Sequence, residues 1–358
     1  MVSGNDWWPN PFFYFLRPQD IIAAMYSRRT AFRRITAVVI AIMLAIGVGL
    51  GAQAPAVQPT QKPLLWRIEG TVPSYLYGTI HIPDQRVLAL PDVVTKAMNA
   101  SDAVYTEVLL DQDTVAAAAS AAQLPAGQDL PKIVGDDAFN RFVNIMGKAM
   151  GGGNLAPGMA SLMAPLFAKL SPMAALSQLA LIDYLPDLLA GRLPLDMKLH
   201  NAAVQAGKEV GGLETLQEQT DVLFNTVPLK DQAKAFVAAL DEVEHPKPGE
   251  GNPMKRLVDL YLAGNLEPLA AELDKADPEM EALGKNFQAK LIDDRNTKMA
   301  DRMAAHINEK KNRSYFFAVG AAHYAGTTGI ISQLTKKGFK VTRLTPADAA
   351  SIARKPAA

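Results

Sequence analysis

Two apolar segments of this chain end in the same four-residue pattern, and no other feature narrows the fold as far. Ser74-Tyr75-Leu76-Tyr77 leads into Gly78-Thr79-Ile80-His81, and Tyr315-Phe316-Phe317-Ala318-Val319 leads into Gly320-Ala321-Ala322-His323. Short apolar runs rich in aromatic and β-branched residues read as buried strands, so each histidine is expected just past a strand end. The glycines can bend the chain there and let backbone approach a metal or substrate closely. One G-x-x-H is a weak signal. Its repetition after a second apolar strand points to a shared polar site, against the alternative that each histidine merely caps its strand through a backbone hydrogen bond.

The surrounding sequence supplies the rest of a sheet. Leu65-Trp66-Arg67-Ile68 pairs with the first motif strand around a turn at residues 69–73. Residues 103–108 form a strand with Glu107 near its end, residues 208–214 a short strand ending at Glu214, and residues 339–344 a final strand. Helical spacing covers residues 90–99, started by Pro91-Asp92, residues 195–206, closed by Gly207, residues 291–309, and residues 329–337, capped by Gly338. Strands alternating with helices predict an α/β (α+β) fold with a central mixed sheet and flanking helices. Residues of about 112–194 are rich in Ala, Leu and Met, and residues of about 215–290 are mostly helical apart from a loop at His245-Pro246-Lys247-Pro248. Both read as helical insertions. The first is a buried helical layer or cap, or else an apolar groove or lid for a hydrophobic substrate.

The amino-terminal end has a different character. Arg28, Arg29, Arg33 and Arg34 precede an uncharged stretch, residues 35–61, that is apolar to about Leu50 and followed by Ala52-Gln53-Ala54. A basic region, an apolar core and a small-x-small site make an export signal. Residues 25–54 are read as that signal, with translation starting at Met25 and residues 1–24 an untranslated preamble. The alternative is an uncleaved membrane anchor with the preamble in the cytoplasm. Either way the arginines place the body of the protein outside the cytoplasm, periplasmic or tethered to the inner membrane. Residues 55–63 form a polar linker.

The available chemistry is narrow. The chain has no cysteine, which excludes disulfides, thiolate ligands and a thiol nucleophile. Its formal net charge of zero gives no sign of nucleic-acid binding. Four strands end in or near a potential ligand: His81, Glu107, Glu214 and His323. Sites in open α/β sheets form at the carboxyl ends of strands. Two imidazoles with one or two carboxylates suit a divalent metal, and such a set with an open position can activate water for hydrolysis. Arg295 and Asn296 precede the second motif strand. Arg295 is a candidate anion or transition-state clamp, with a solvated helix charge as the alternative. Tyr324 follows the second motif and is placed along the pocket. His200, four residues after Asp196, is expected to pair with it. His200, His245 and His306 are assigned outside the site.

At these residues the chain resembles the TraB/GumN family, which includes the TIKI metalloproteases. The likeness rests on Leu65-Trp66-Arg67-Ile68, Tyr77-Gly78-Thr79-Ile80-His81, Thr106-Glu107, Gly207-Lys208, Gly212-Leu213-Glu214-Thr215 with Gln219, Arg295-Asn296, Ala318 through His323 with Gly326, and Gly338-Phe339. In order and spacing it spans nearly all of residues 64–344, and it implies one domain over residues 64–350 of erythromycin-esterase/ChaN-like architecture, exported or membrane-associated. It further implies a metal-dependent peptidase site in which His81 and His323 bind the ion and Glu107 binds it or acts as base. Manganese or cobalt is favoured over zinc, and the substrate is a peptide or protein. Gly78, Gly320, Glu214, Asn296 and Tyr324 are carried as supporting residues. The apolar insertion at 112–194 matches no family motif. It motivates an alternative: a non-catalytic binding protein that sequesters a peptide, haem or other apolar ligand. A purely structural envelope protein would make the repeated motif accidental.

Overall fold

The computed structural model describes residues 57–151, 153, 158–246, 253–273 and 289–352. The export signal and preamble expected over residues 1–54 lie outside the described residues. Among the described residues, no helix is long and apolar enough to cross a membrane.

Six strands form one mixed sheet: β1 (Leu65–Ile68), β2 (Ser74–Thr79), β3 (Ala103–Thr106), β4 (Glu209–Gly212), β5 (Tyr315–Gly320) and β6 (Val341–Arg343). Their order across the sheet is β4-β3-β5-β2-β1-β6. β4, β3, β5 and β2 run parallel, while β1 is antiparallel to both β2 and β6. The three central parallel strands are buried almost throughout. This is why YFFAV and the run from Tyr75 to Tyr77 read as continuous apolar stretches rather than alternating ones. β5 lies between β2 and β3, so the residues that follow these three strands emerge side by side at one sheet edge.

Helices cover the sheet with stripes set by their sequence period. The helix Asp92–Ala100 buries Val93, Val94, Ala97 and Met98. The helix Asp294–Glu309 buries Arg295, Asn296, Met299, Ala300, Met303, Ala304 and Ile307. Arg295 and Asn296 are thus in phase with the apolar face, so the alternative of a solvated helix charge does not hold for Arg295. The helix expected at 291–309 begins at Asp294, because residues Ala289–Asp293 form a π turn in front of it. A short helix, Gln85–Leu88, was not foreseen. Asp84 caps it by accepting from the Arg86 N–H.

The main core lies on the sheet and includes Leu65, Leu76, Tyr77, Val104, Phe316, Phe317 and Met299. The first insertion has a separate core, in which Leu130, Phe139, Phe142, Met146, Phe167 and Leu179 pack with Phe236 and Leu240 from the second insertion. Phe142 meets Phe236 edge-on, with ring centroids 5.3 Å apart. The Met- and Leu-rich stretch therefore fills a helical lobe of its own.

Candidate metal centre at the strand ends

β2 ends at Thr79, and a tight turn in which the Ile82 N–H donates to the Ile80 carbonyl (2.8 Å) leaves His81 at the surface. β5 ends at Gly320, and the 3-10 turn Ala321–Tyr324 carries His323 back into the molecule. Glu107 follows β3 by one residue. The backbone ladder continues past the strands through bonds from Leu213 N to Thr106 O (2.9 Å) and Glu214 N to Glu107 O (2.7 Å), fixing the two glutamates relative to each other.

These residues converge. Glu107 Oε1 lies 3.6 Å from His81 Nε2 and 3.9 Å from His323 Nε2. The same oxygen accepts from the Gly320 N–H at 2.8 Å. Glu107 Oε2 accepts from Arg295 Nη2 at 2.5 Å and from Gln219 Nε2 at 3.3 Å. Arg295 also donates through Nε to both Glu214 oxygens (3.0 Å each), through Nη2 to Glu214 Oε2 (2.7 Å) and through Nη1 to the Leu291 carbonyl (3.1 Å). The guanidinium is buried and committed to two carboxylates. It is placed to hold Glu107, not to clamp a substrate oxyanion as the sequence reading had it.

Each imidazole is oriented from behind. His81 Nδ1 lies 2.7 Å from Asp196 Oδ2, and the other oxygen of Asp196 accepts from the Thr79 hydroxyl at 2.5 Å. His323 Nδ1 lies 2.7 Å from Asn296 Oδ1, while Asn296 Nδ2 donates to the Thr328 carbonyl at 3.2 Å and so turns its oxygen to the ring. Carboxylate and amide oxygens only accept, so Nδ1 is the donor in both rings. In the neutral rings Nε2 then carries the lone pair, and both lone pairs face an oxygen of Glu107 with no donor between them. Such an arrangement is repulsive unless a proton or a cation stands in the gap.

The electrostatics follow from this crowding. Burial alone would raise the Glu107 carboxyl, but the facing imidazoles of His323 and His81 and the Arg295 guanidinium hold it well below the usual range. Burial pushes His323 down to about 4, outweighing the attraction of Glu107. His81 goes the other way, held well above an ordinary histidine chiefly by the Asp196 carboxylate. Glu214 is raised by burial, partly offset by Arg295.

The donor set fits a divalent ion in type: two imidazole nitrogens, one carboxylate oxygen and a polar partner behind each ring. Ligands about 2.0–2.1 Å from one ion are separated by roughly 3.0–3.4 Å, so the observed 3.6 and 3.9 Å are a few tenths of an ångström wide. Consistently, among the described residues no group of three or more His, Asp or Glu side chains is drawn together tightly enough to be an assembled metal site. An inward movement of the exposed His81 would close its own gap to Glu107, while the buried His323 and Glu107 would themselves have to draw together by a few tenths of an ångström.

Other residues singled out by sequence lie elsewhere. Tyr324 is buried beneath the site, its hydroxyl within 3.4 Å of the Tyr77 carbonyl and 3.3 Å of the Phe317 carbonyl and its ring against Trp66, so it supports the strand ends rather than lining the opening. His200 is buried, which pushes its imidazole down with a partial offset from Asp111, and both Asp196 oxygens go instead to Thr79 and His81. His306 packs against Tyr105 in a tilted arrangement with ring centroids 4.5 Å apart, and His245 is exposed at a helix end. A surface concavity lined by Asp102, Glu209, Lys310 and Arg313 sits at the opposite, amino-terminal ends of β3, β4 and β5, away from the histidines. The sequence reading missed Asp196 as a partner of the site. Its signal was a first-turn acid at the start of the helix Leu195–Gln205, masked by His200 one turn away.

Comparisons with known proteins place the chain in a family. Metalloprotease TIKI1 of Danio rerio is 26% identical over 327 residues, covering 83% of this chain and 66% of its own length. Metalloprotease TIKI2 of Xenopus tropicalis is 28% identical over 333 residues, covering 84% and 63%. A Metalloprotease TIKI homolog of Amphimedon queenslandica is 25% identical over 321 residues, covering 80% and 62%. The chain thus spans slightly under two thirds of the length of these relatives. No solved structure matches it. A model of the TraB/PrgY/gumN family matches residues 64–343, most of the chain, and the chain belongs to that family.

Proposed function

We propose that this protein is a metal-dependent hydrolase acting on peptide bonds, with its site outside the cytoplasm. The observation that carries the reading is the pair of Nε2 atoms facing Glu107 Oε1, each with its Nδ1 already occupied. The metalloprotease names of relatives at 25–28% identity support the same chemistry. The uncharged stretch behind Arg28, Arg29, Arg33 and Arg34 supports export.

His81, His323 and Glu107 would hold the ion, with manganese or cobalt favoured and zinc the alternative. A divalent cation bound there supplies Lewis acidity and eases the ionisation of water at neutral pH. The protein's own residues do the rest. Arg295 fixes one oxygen of Glu107, so that the other is presented to the opening, and adds to the larger pull of His323 and His81 that holds this carboxyl low. A carboxylate so placed binds the cation or accepts a proton from a nucleophile. Glu214 neutralises the far side of Arg295 and keeps that guanidinium in place. His323 and Glu107 are buried whereas the His81 side chain is 62% exposed, so substrate approaches from the His81 side.

The test is metal content and peptide hydrolysis of the wild type against His81→Ala and His323→Ala. Loss of bound manganese or cobalt and of product in both variants is expected. Unchanged metal occupancy in both sinks the proposal. Tight peptide binding without product at saturating manganese, cobalt or zinc favours the sequestering alternative.

A further inference from the structure

We infer that Asp196 is a positioning residue that selects which nitrogen of His81 faces the site, a role resting on the cation-site reading above. The carboxylate stands in the first turn of the helix Leu195–Gln205, just after the helical lobe, and is only 7% exposed. Both of its oxygens are spent on one strand end: Oδ1 accepts from Thr79 Oγ1 and Oδ2 faces His81 Nδ1. Thr79 and His81 are two residues apart, so the carboxylate is gripped at two points by the segment it orients. Among the described residues its ion-pair contact is with His81. A carboxylate oxygen accepts here, so Nδ1 keeps its proton in this contact, and whenever the ring is neutral the lone pair is left on Nε2.

The two histidines depend on their partners unequally. The His323 side chain is 6% exposed, so packing holds its ring as well as Asn296 does. The His81 side chain is 62% exposed. Few walls surround that ring, and the contact with Asp196 at 2.7 Å, much shorter than the 3.6 Å approach of Nε2 to Glu107, is what chiefly opposes rotation about its Cβ–Cγ bond. Without it the ring samples other rotamers, and the proton is free to move to Nε2, the atom that must present a lone pair. Partners behind metal-binding histidines typically govern about 10–100-fold in metal affinity.

The experiment compares wild type with Asp196→Ala, Asp196→Asn and Thr79→Val. Manganese, cobalt and zinc binding are measured by calorimetry. Histidine tautomers are read by long-range nitrogen–proton NMR on the metal-free protein in the alkaline range, and circular dichroism confirms folding. Asp196→Ala is expected to lose about 10–100-fold in metal affinity and to shift the His81 proton from Nδ1 to Nε2, with the His323 signals unmoved. Asp196→Asn, whose amide oxygen still accepts from Nδ1, should recover most of the affinity and the original tautomer. Thr79→Val should fall between, and it carries the test if Asp196→Ala does not fold. A folded Asp196→Ala protein with wild-type affinity and tautomer overturns the inference, as does an Asp196→Asn protein as impaired as Asp196→Ala. If the wild type binds none of the three ions yet the tautomer shifts as stated, the positioning role stands and the metal reading fails.

Discussion

Replacing Gly320 with alanine separates the site from the fold more cleanly than removing a ligand would. The Gly320 torsions, φ −49° and ψ 132°, suit any L residue, so the glycine is not there for conformational freedom. It is there for space. A methyl group built on it would lie 3.0 Å from Glu107 Oε1, 3.5 Å from His323 Cδ2 and 3.6 Å from His81 Nε2, at the junction of the three groups. Glu107 would have to yield a few tenths of an ångström against its bonds to Arg295 and to the Gly320 N–H itself. At a compatible torsion, glycine to alanine stabilises by about 0.4–1 kcal/mol through the unfolded chain, which offsets much of that strain. Net stability should stay within about 1 kcal/mol, a Tm change of no more than roughly 2–4 °C. Metal affinity should fall at least about 10-fold, because the methyl group displaces Glu107 and occupies the gap between the ligands. The assay is calorimetric titration with manganese and cobalt beside thermal denaturation in chelator. A folded Gly320→Ala protein with wild-type affinity refutes the placement of the ion. A large loss of Tm would show that Gly320 is a packing residue instead.

Gly78, at the same position of the other motif, should behave in the opposite way. Its added Cβ would meet Leu64 Cβ at 3.1 Å and Ala321 Cβ at 3.2 Å, so Gly78→Ala should cost about 1–3 kcal/mol in chemical denaturation with metal affinity retained at temperatures where it is folded. Arg295→Met leaves Glu107 and Glu214 buried without their shared cation, and should destabilise by about 3–5 kcal/mol. Adding Glu214→Gln to it should recover part of that loss, and a single variant within about 1 kcal/mol of wild type in urea would contradict the assigned network. The pH dependence of metal-free stability has a defined sign. With His323 lowered to about 4, the unfolded chain takes up its proton first as pH falls through about 6.5, so stability present above that value is lost by up to about 3 kcal/mol on reaching pH 4. His81, raised by Asp196, works oppositely: its contribution is present below about pH 6.5 and is lost as pH rises through its folded value. Denaturation curves of His323→Gln and His81→Gln should lose the acid and alkaline slopes respectively.

All six strands could be located from sequence, but on different signals: β2, β3 and β5 are buried apolar runs, whereas the partly exposed β4 (EVGG) and β6 (VTR) are marked mainly by the glycines and helix ends around them. The sheet order was not legible. The sequence separation of β2 and β5 gives no hint that Tyr77 and Ala318 are in register. Nor could the apolar stretch at 112–194 be divided between core and groove by composition. Phe236 and Leu240, from another part of the chain, complete the lobe's core, and a partner so distant is invisible to local periodicity.

The site divides along the same line. Which atoms meet there was readable where chemistry and position coincide, at a histidine or glutamate just past a buried strand, because parallel strands deliver their carboxyl ends to one edge. What each residue does there depended on partners set by tertiary geometry. Arg295 looks in sequence like a free cation near a catalytic motif, yet its phase with Met299, Ala300 and Met303 already marks it as core-facing. A buried guanidinium must be matched by carboxylates, and those prove to be Glu214 and Glu107, 81 and 188 residues away. Asp196 shows the converse. One helical turn offers it His200, but a first-turn side chain points back toward the strand end that the helix abuts, where Thr79 and His81 compete for both oxygens at once. Two short contacts outweigh one i,i+4 pairing of a few tenths of a kcal/mol. The exposed histidine of the pair is thereby the one most dependent on a buried acid. For that reason the alanine variant of Asp196 should injure the site more than that of Asn296, although both partners stand 2.7 Å from their rings.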